Sequence, residues 1–330
     1  MSEECRNKVL ITGANGFVGS RLCRRMLADG YQVIAGVREG CNREMLAGLK
    51  MEFRYGDVTR PETLAAMVAG VDYIIHNAGV VKAIRPELFY RVNHFGTRNI
   101  AEAALTNSGL KKFVFISSLA AAGPSDSVRP LSETDPPHPV TEYGRSKLAG
   151  EEALLELKDR LPIVIIRPPG VYGPGDREMY AIFKMVNFRL RPLLGNLNRK
   201  IQLVHVDDLC RGVAAALKSE TPGGAIYFVA ENRAYSFREL VSALGRAVDR
   251  KGIPLYLPGG LVRLAARLSQ GVMKLFGRPP MFTVEKADEI LGSWEVATRR
   301  AERELGFQAE IAFPDGARET MAWYRKEGWL

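Results

Sequence analysis

A tyrosine and a lysine four residues apart, Tyr143 and Lys147 in the run YGRSK, are the side chains in this sequence best suited to moving a proton. Thr141 can start a helix there, and on a helix this spacing sets the phenol and the ammonium on one face. A phenol with the ordinary pKa near ~10 is a poor proton carrier at neutral pH, whereas a neighbouring cation stabilises its phenolate and makes general acid/base work feasible. Ser118, 25 positions upstream of Tyr143, follows an apolar run and offers a hydroxyl to a substrate oxygen. Alone, a Tyr–Lys pair of this spacing is an ordinary surface contact on a helix. Its meaning depends on what the rest of the chain sets beside it.

The stretch KVLITGANGFVG at 8–19 supplies the first answer. Residues 9–11 form the short continuous apolar run of a strand buried on both faces. Gly13, Gly16 and Gly19 follow at a spacing of three, and from Val18 the pattern turns helical, with Val18, Leu22, Met26 and Leu27 on one face. Glycine at such a junction permits the tight turn, lets backbone approach a pyrophosphate and brings the helix close to the strand. The helix N-terminus then directs free N–H groups at the anion. Gly13, Asn15, Gly16, Phe17, Val18 and Gly19 are the cofactor contacts expected from this turn.

Further strands repeat the theme. Residues 32–37 read as a second strand ending at Arg38, where a dinucleotide fold normally presents an acid to the adenosine ribose. An arginine there accommodates a 2′-phosphate, so NADP(H) is favoured over NAD(H), with Arg43 as a second phosphate contact. Residues 51–55 give a third strand closed by Gly56, Asp57 and Val58; Asp57 can meet the adenine amino group or cap the turn at 59–61. A fourth strand, 73–75, runs into His76, Asn77, Ala78 and Gly79, small enough after the histidine to lie against a ribose. Residues 88–105 read as one long amphipathic helix carrying Asn93, and 113–116 as a fifth strand ahead of Ser117 and Ser118. Buried strands alternating with helices predict an α/β chain with a parallel, doubly wound sheet, whose ligands bind at the carboxyl ends of the strands.

The whole chain bounds these readings. Its 330 residues, 46% hydrophobic and 25% charged, suffice for a large core. The net charge of +9 does not choose among anionic partners, and no basic run with interleaved aromatics favours nucleic acid. Cys5, Cys23, Cys41 and Cys210 form no CxxC pair, which predicts free thiols in a reducing, cytoplasmic setting. His76, His94, His138 and His205 lack metal-ligand spacing, so no metal is expected. The polar N-terminus shows no targeting peptide, and no apolar run approaches the ~20 residues that span a bilayer.

Taken together, TGANGFVG at 12–19, GDVT at 56–59, HNAG at 76–79, VNHFGTRN at 92–99, FISSLAAAG at 115–123, YGRSK at 143–147, RPPGVYGPGD at 167–176 and HVDDL at 205–209 resemble the extended short-chain dehydrogenase/reductase family. The resemblance implies a Rossmann-type domain binding NAD(P). It implies Tyr143 as catalytic acid/base, Lys147 holding the nicotinamide ribose and lowering the tyrosine pKa, and Ser118 polarising a carbonyl. Asn93 matches the family's helix-stabilising asparagine, and Pro168, Gly170 and Val171 would lie beside the nicotinamide. It also implies a homodimer. Nucleotide-sugar epimerases of the family usually carry an asparagine where this chain has Gly170. The segment IIRPPGVYGPGDR with GVRE at 36–39 looks more like the branch of dihydroflavonol reductases and 3β-hydroxysteroid dehydrogenases. The reading is therefore hydride transfer between a secondary alcohol and a ketone on a fairly apolar substrate, sterol-like or flavonoid-like. The alternatives are a nucleotide-sugar epimerase or dehydratase with tightly held NAD, and a non-catalytic nucleotide sensor.

The carboxyl-terminal part is expected to form a smaller, discontinuous substrate lobe. Residues 1–174 and 205–230 are assigned to the dinucleotide domain, 175–204 and 231–330 to the lobe. A helix at 179–188 lines the cleft, and 312–330 forms a terminal amphipathic helix with aromatic anchors. Residues 261–276 read as a basic amphipathic helix, with Leu261, Leu264, Ala265, Leu268, Val272, Leu275 and Phe276 on one arc and Arg263, Arg267, Lys274 and Arg278 opposite. Such a helix packs on the lobe with its basic face solvated, or lies on a membrane at the substrate entrance.

Overall fold

The computed structural model describes residues 7–126, 129–249, 252–275 and 282–330, the side chains of residues 274 and 275 excepted. Its centre is a seven-stranded parallel sheet built from β1 (Lys8–Thr12), β2 (Gln32–Val37), β3 (Glu52–Tyr55), β4 (Tyr73–His76), β5 (Lys112–Ile116), β6 (Ile163–Arg167) and β7 (Ala225–Phe228). The spatial order is β7-β6-β5-β4-β1-β2-β3. The chain thus steps outward from β1 to β3 and then returns to the other side of β1. The crevice between the carboxyl ends of β1 and β4 is the switch point at which such sheets bind ligands.

Alternation along each strand divides the core into two layers. Val9, Ile11, Val114, Ile116, Val164 and Ile166 face one layer, with Leu22, Cys23 and Met26. Leu10, Phe113, Phe115, Ile163 and Ile165 face the other, with Ile100 and Ala104. Every residue of β5 and β6 is buried, as a sheet covered on both faces requires. A third core gathers Tyr172, Phe183, Leu203, Tyr235, Leu240, Leu244, Phe313 and Tyr324.

The helices that bear on the site are α1 (Phe17–Ala28), α2 (Gly96–Ala104), α3 (Glu142–Leu155), α4 (Val206–Lys218), α5 (Gly259–Leu275), α6 (Val284–Leu291) and α7 (Phe313–Lys326). The periodicity of 88–105 predicts one continuous helix, but the structure breaks it. A short turn at Pro86–Phe89 passes into a widened π-type turn at Tyr90–Phe95 before α2 begins. Asn93 sits in that widened turn and is fully buried, so its side chain reaches away from the helix it belongs to. Wide turns of this kind are common at functional sites. The terminal helix ends at Lys326, and Trp329 folds back so that its carbonyl accepts a 2.5 Å hydrogen bond from the Tyr180 hydroxyl.

Among the free cysteines Cys23 and Cys210 are buried, while Cys5 lies outside the described residues. Of the amphipathic stripe at 261–276, the side chains of Lys274 and Leu275, and all of Phe276 and Arg278, also lie outside them. No described helix is long and apolar enough to cross a membrane.

Candidate active site

The glycine turn is shaped for something other than side chains. Gly13 has φ +64, and a Cβ on it would stand 2.9 Å from the Ala78 Cα; one on Gly19 would stand 2.1 Å from the Gly13 carbonyl oxygen. The first glycine therefore lets β1 and β4 meet at their ends, and the second draws α1 against the turn. Gly16 caps α1 with no side-chain hydrogen bond, so the first amides of that helix keep their N–H groups for an anion. Asn15 donates to the Asn42 carbonyl, and Phe17 and Val18 are half-buried at the helix start.

A hydrogen-bonded chain fixes the β4 end. The amides of Asn77 and Ala78 donate to Thr12 Oγ1 at 3.2 and 3.1 Å, which leaves the Thr12 hydroxyl proton for His76 Nδ1 at 2.8 Å. His76 Nε2 then carries the proton toward Thr97 Oγ1 at 3.1 Å, and Thr97 donates to the Asn93 carbonyl. Burial, with Lys147 adding to it, pulls His76 down to about 3, which keeps the ring neutral as this chain of donors requires. Asn93 extends the network: its amide oxygen accepts from the Val80 N–H, and its nitrogen donates to the Val80 carbonyl and to Ser146 on α3. The helix-stabilising role expected of Asn93 is thus a bridge between the loop after Gly79 and the helix that bears Tyr143.

Tyr143, Lys147 and Ser118 converge at this end of the sheet. Thr141 caps α3 by accepting the Gly144 N–H, and Ser118 accepts the Ala120 N–H at 3.1 Å. The Ser118 hydroxyl lies beside the Tyr143 phenol. Lys147 is buried; its ammonium donates to the Ile116 carbonyl at 2.7 Å and lies 4.2 Å from the centre of the Phe115 ring. A Cβ on Gly79 would stand 3.9 Å from that ammonium, so the lysine and the HNAG backbone face one space.

The electrostatics differ from the sequence-based expectation. Burial pushes the Tyr143 phenol up to about 12; the Ser118 hydroxyl opposes the rise, and the carboxylates of Glu289 and Glu178 add to it. Burial pulls Lys147 down to about 7 against the pull of Glu151. The spacing predicts that the ammonium lowers the phenol. In the structure desolvation is the largest influence on the phenol, and the ammonium donates to the Ile116 carbonyl.

A groove of about 610 Å³ runs beyond the glycine turn, lined by Arg38, Glu39, Gly40, Tyr55, Asp57 and Arg60 among others. Partial burial raises the Asp57 carboxyl, but hydrogen bonds from the Thr59 N–H and hydroxyl, with Arg38 and Arg91 nearby, hold it below the usual carboxylate value. Both expectations for Asp57 bear on this: it turns the 59–61 segment and also borders the groove. Val58 is packed against Gly96, and its carbonyl accepts from Asn99. Arg43 lies over the Phe53 ring and donates to the Tyr55 hydroxyl. Arg60 is the groove cation that sequence reasoning missed. Pro168 lies beside the Ser118 turn, its carbonyl accepting the Leu119 N–H at 2.7 Å, and Gly170 and Val171 pair with Leu203 and Val204 in a short parallel ladder. The cradle, the uncapped helix and the basic groove fit a dinucleotide. Its diphosphate would rest on the Gly13–Gly19 turn, its adenosine end in the groove, and its reactive ring near Tyr143 and Lys147.

Other neighbours of Tyr143 carry no motif. Phe89 sets its ring 6.1 Å from the phenol, and Glu285 on α6 accepts from Arg145 at 2.5 Å. Glu151 and Arg167 form a buried ion pair directly behind the site. His205, Asp207 and Glu319 bring ligand atoms within 4.8 Å of one another. Asp207, however, is held by Arg21 at 3.2 Å, and His205 Nδ1 accepts the Asp207 N–H at the cap of α4.

Comparison with known proteins agrees with the geometry. Residues 9–230 match the profile described as the NAD dependent epimerase/dehydratase family. The chain is 30% identical over its full length to the ceramide reductase of Caulobacter vibrioides (strain NA1000 / CB15N), covering 98% of that protein. It is 28% identical to the UDP-glucose 4-epimerase of Vibrio cholerae, over 94% of each chain. The crystal structure of gox2253 superposes with a TM-score of 0.85 at 27% identity, over 98% of this chain and 100% of that one. With a glycine cradle at the switch point of the sheet and Ser118, Tyr143 and Lys147 above it, the chain belongs to the NAD dependent epimerase/dehydratase family.

Proposed function

We propose that the protein interconverts a ketone and a secondary alcohol on a long-chain or otherwise apolar lipid, using NADP(H) in preference to NAD(H). The observation that carries the substrate class is the loop leading from the Asn93-anchored Val80 to Phe89. Its side chains Val81, Ile84 and Leu88 are 55%, 73% and 37% exposed in the segment that leads to Phe89, whose ring meets that of Tyr143. Exposed aliphatic side chains of this kind favour hydrocarbon over sugar. The ceramide reductase relative supports the same class.

When bound, the dinucleotide supplies or accepts a hydride at its nicotinamide ring. Ser118 donates a hydrogen bond to the carbonyl oxygen, and Tyr143 delivers the proton that the oxygen takes up on reduction. Lys147, the Gly79 backbone and Asn93 hold the geometry in which these groups meet the substrate. The test is a panel of long-chain lipid ketones and ketosteroids incubated with reduced dinucleotide, and of UDP-sugars incubated with oxidised dinucleotide. Oxidation of the dinucleotide with the lipid ketones is expected. Conversion of a UDP-sugar without net change in the dinucleotide would overturn the reading in favour of an epimerase.

The cofactor preference rests on Arg38, which is exposed and lines the groove together with Arg60. A charge-assisted contact to a 2′-phosphate is worth about 1.5–3 kcal/mol. Arg38→Ala is therefore expected to weaken NADPH binding by about 10- to 100-fold, at ~1.4 kcal/mol per decade, and to leave NADH nearly unchanged. Titration of intrinsic fluorescence with both dinucleotides checks this, and equal losses for the two would remove the assignment.

A further inference from the structure

We propose that the outer face of α5, together with the strand Ile253–Leu257 that feeds it, docks on an anionic lipid surface. The amphipathic pattern of 261–276 leaves two outcomes open, and the structure shows which of its residues pack. α5 is seated on its neighbours through Val262 and Ala266, which join Ala287 and Leu291 of α6 and Leu257 in a small core. Arg263 adds a 2.6 Å ion pair to Asp288 of α6. The apolar stripe of the sequence is a different face. Leu261, Leu264, Leu268 and Val272 are 53%, 49%, 60% and 50% exposed. At 100° per residue these four span an arc of roughly 80°, turned away from Val262 and Ala266.

The strand before the helix extends the surface. Leu257 packs beneath α5, and by strand alternation Leu255 and Ile253 share its side, where they are 44% and 68% exposed. Single exposed leucines are ordinary on protein surfaces; a run of them on one helix face with an apolar strand beside it marks an interaction site.

Charge identifies the occupant. Between residues 250 and 284 the sequence holds six Lys or Arg and no Asp or Glu; Arg263 pairs with Asp288, and Arg250, Lys251, Arg278 and the Lys274 side chain lie outside the described residues. Arg267, beside the stripe, is exposed. A helix with an apolar face and a basic flank lies in the plane of a membrane with its apolar residues in the acyl boundary, and anionic headgroups complement the flank. A second copy of this chain on the same face would set basic flank against basic flank.

The surface is also placed to serve the cleft. α6, on which α5 rests, sends Glu285 to Arg145 on the catalytic helix and holds Glu289 near the Tyr143 phenol. Docking would therefore bring the cleft within one helix of the bilayer. The inference does not depend on the lipid-ketone reading, because binding is measured without turnover.

The test is co-sedimentation of the full-length protein with vesicles of phosphatidylcholine plus phosphatidylglycerol, and with vesicles of phosphatidylcholine alone. Binding to the anionic vesicles is expected, with at least tenfold weaker partitioning for Leu264→Asp/Leu268→Asp and a smaller loss for Arg267→Glu. All three positions are exposed, and unchanged NADPH affinity verifies that each variant is folded. Absence of wild-type binding, or equal binding by the wild type and the double variant, would overturn the proposal. So would a wild-type dimer that the double variant converts to a monomer with vesicle binding unaffected.

Discussion

Tyr143→Phe is expected to lower kcat/KM by about 10²- to 10⁴-fold in both directions, the range that positioned acid/base groups contribute. The loss is that of the proton carrier alone. Phenylalanine keeps the ring that meets Phe89, and Lys147 remains on the Ile116 carbonyl, so dinucleotide affinity is expected to stay within about twofold. The wild-type pH dependence follows from a phenol at about 12. Below that value the hydroxyl is protonated, so carbonyl reduction has its donor throughout the neutral range. Alcohol oxidation needs the phenolate, whose fraction rises up to tenfold per pH unit while the pH stays below the pKa. The oxidation rate is thus expected to climb from pH 7 to 9 while reduction does not climb. Steady-state kinetics of both proteins in both directions check the assignment. Normal turnover in Tyr143→Phe would remove Tyr143 from the mechanism.

The parts of this site legible in the sequence are those where local chemistry dictates residue type. Gly13 and Gly19 are visible because no side chain fits where they stand, and the Tyr143–Lys147 pair is visible because helical spacing fixes its face. The strand β5 is legible for the same reason, since it reads as an apolar run and is covered on both sides. The missed parts depend on long-range packing. The widened turn at Tyr90–Phe95 answers to Val80 and Ser146, which lie far along the chain from each other. The packed face of α5 is a second instance. Helical periodicity marks Leu261, Leu264 and Leu268 as the apolar stripe, yet the smaller Val262 and Ala266 allow the closer approach to α6 and are the ones buried. The phenol pKa is a third, because desolvation is a property of the assembled cleft and no spacing of Tyr and Lys encodes it.

Arg167→Met is expected to cost about 3–5 kcal/mol of stability, the penalty for stranding one member of a buried ion pair. Arg167 and Glu151 are 3% and 1% exposed, and Nε and Nη2 of the arginine both donate to the carboxylate, at 3.0–3.1 and 2.5 Å. The Ser117 hydroxyl donates to the same carboxylate. Removing the guanidinium leaves Glu151 with that one hydroxyl and with Lys147, one helical turn away and already short of solvation. The pair also ties the end of β6, just before Pro168–Val171, to α3, just after Lys147, so it sets the width of the cleft as well as the stability of the fold. Urea denaturation of Arg167→Met and of Glu151→Leu/Arg167→Met separates the two contributions. The double variant is expected to recover more than half of the lost stability, because two apolar side chains leave neither member of the pair stranded. It is nevertheless expected to turn over more slowly than the wild type, because the fork that held Lys147 and the 168–171 segment in register is gone. A single-variant loss below about 1 kcal/mol, within the range of an exposed pair, would show that the ion pair does not brace the site.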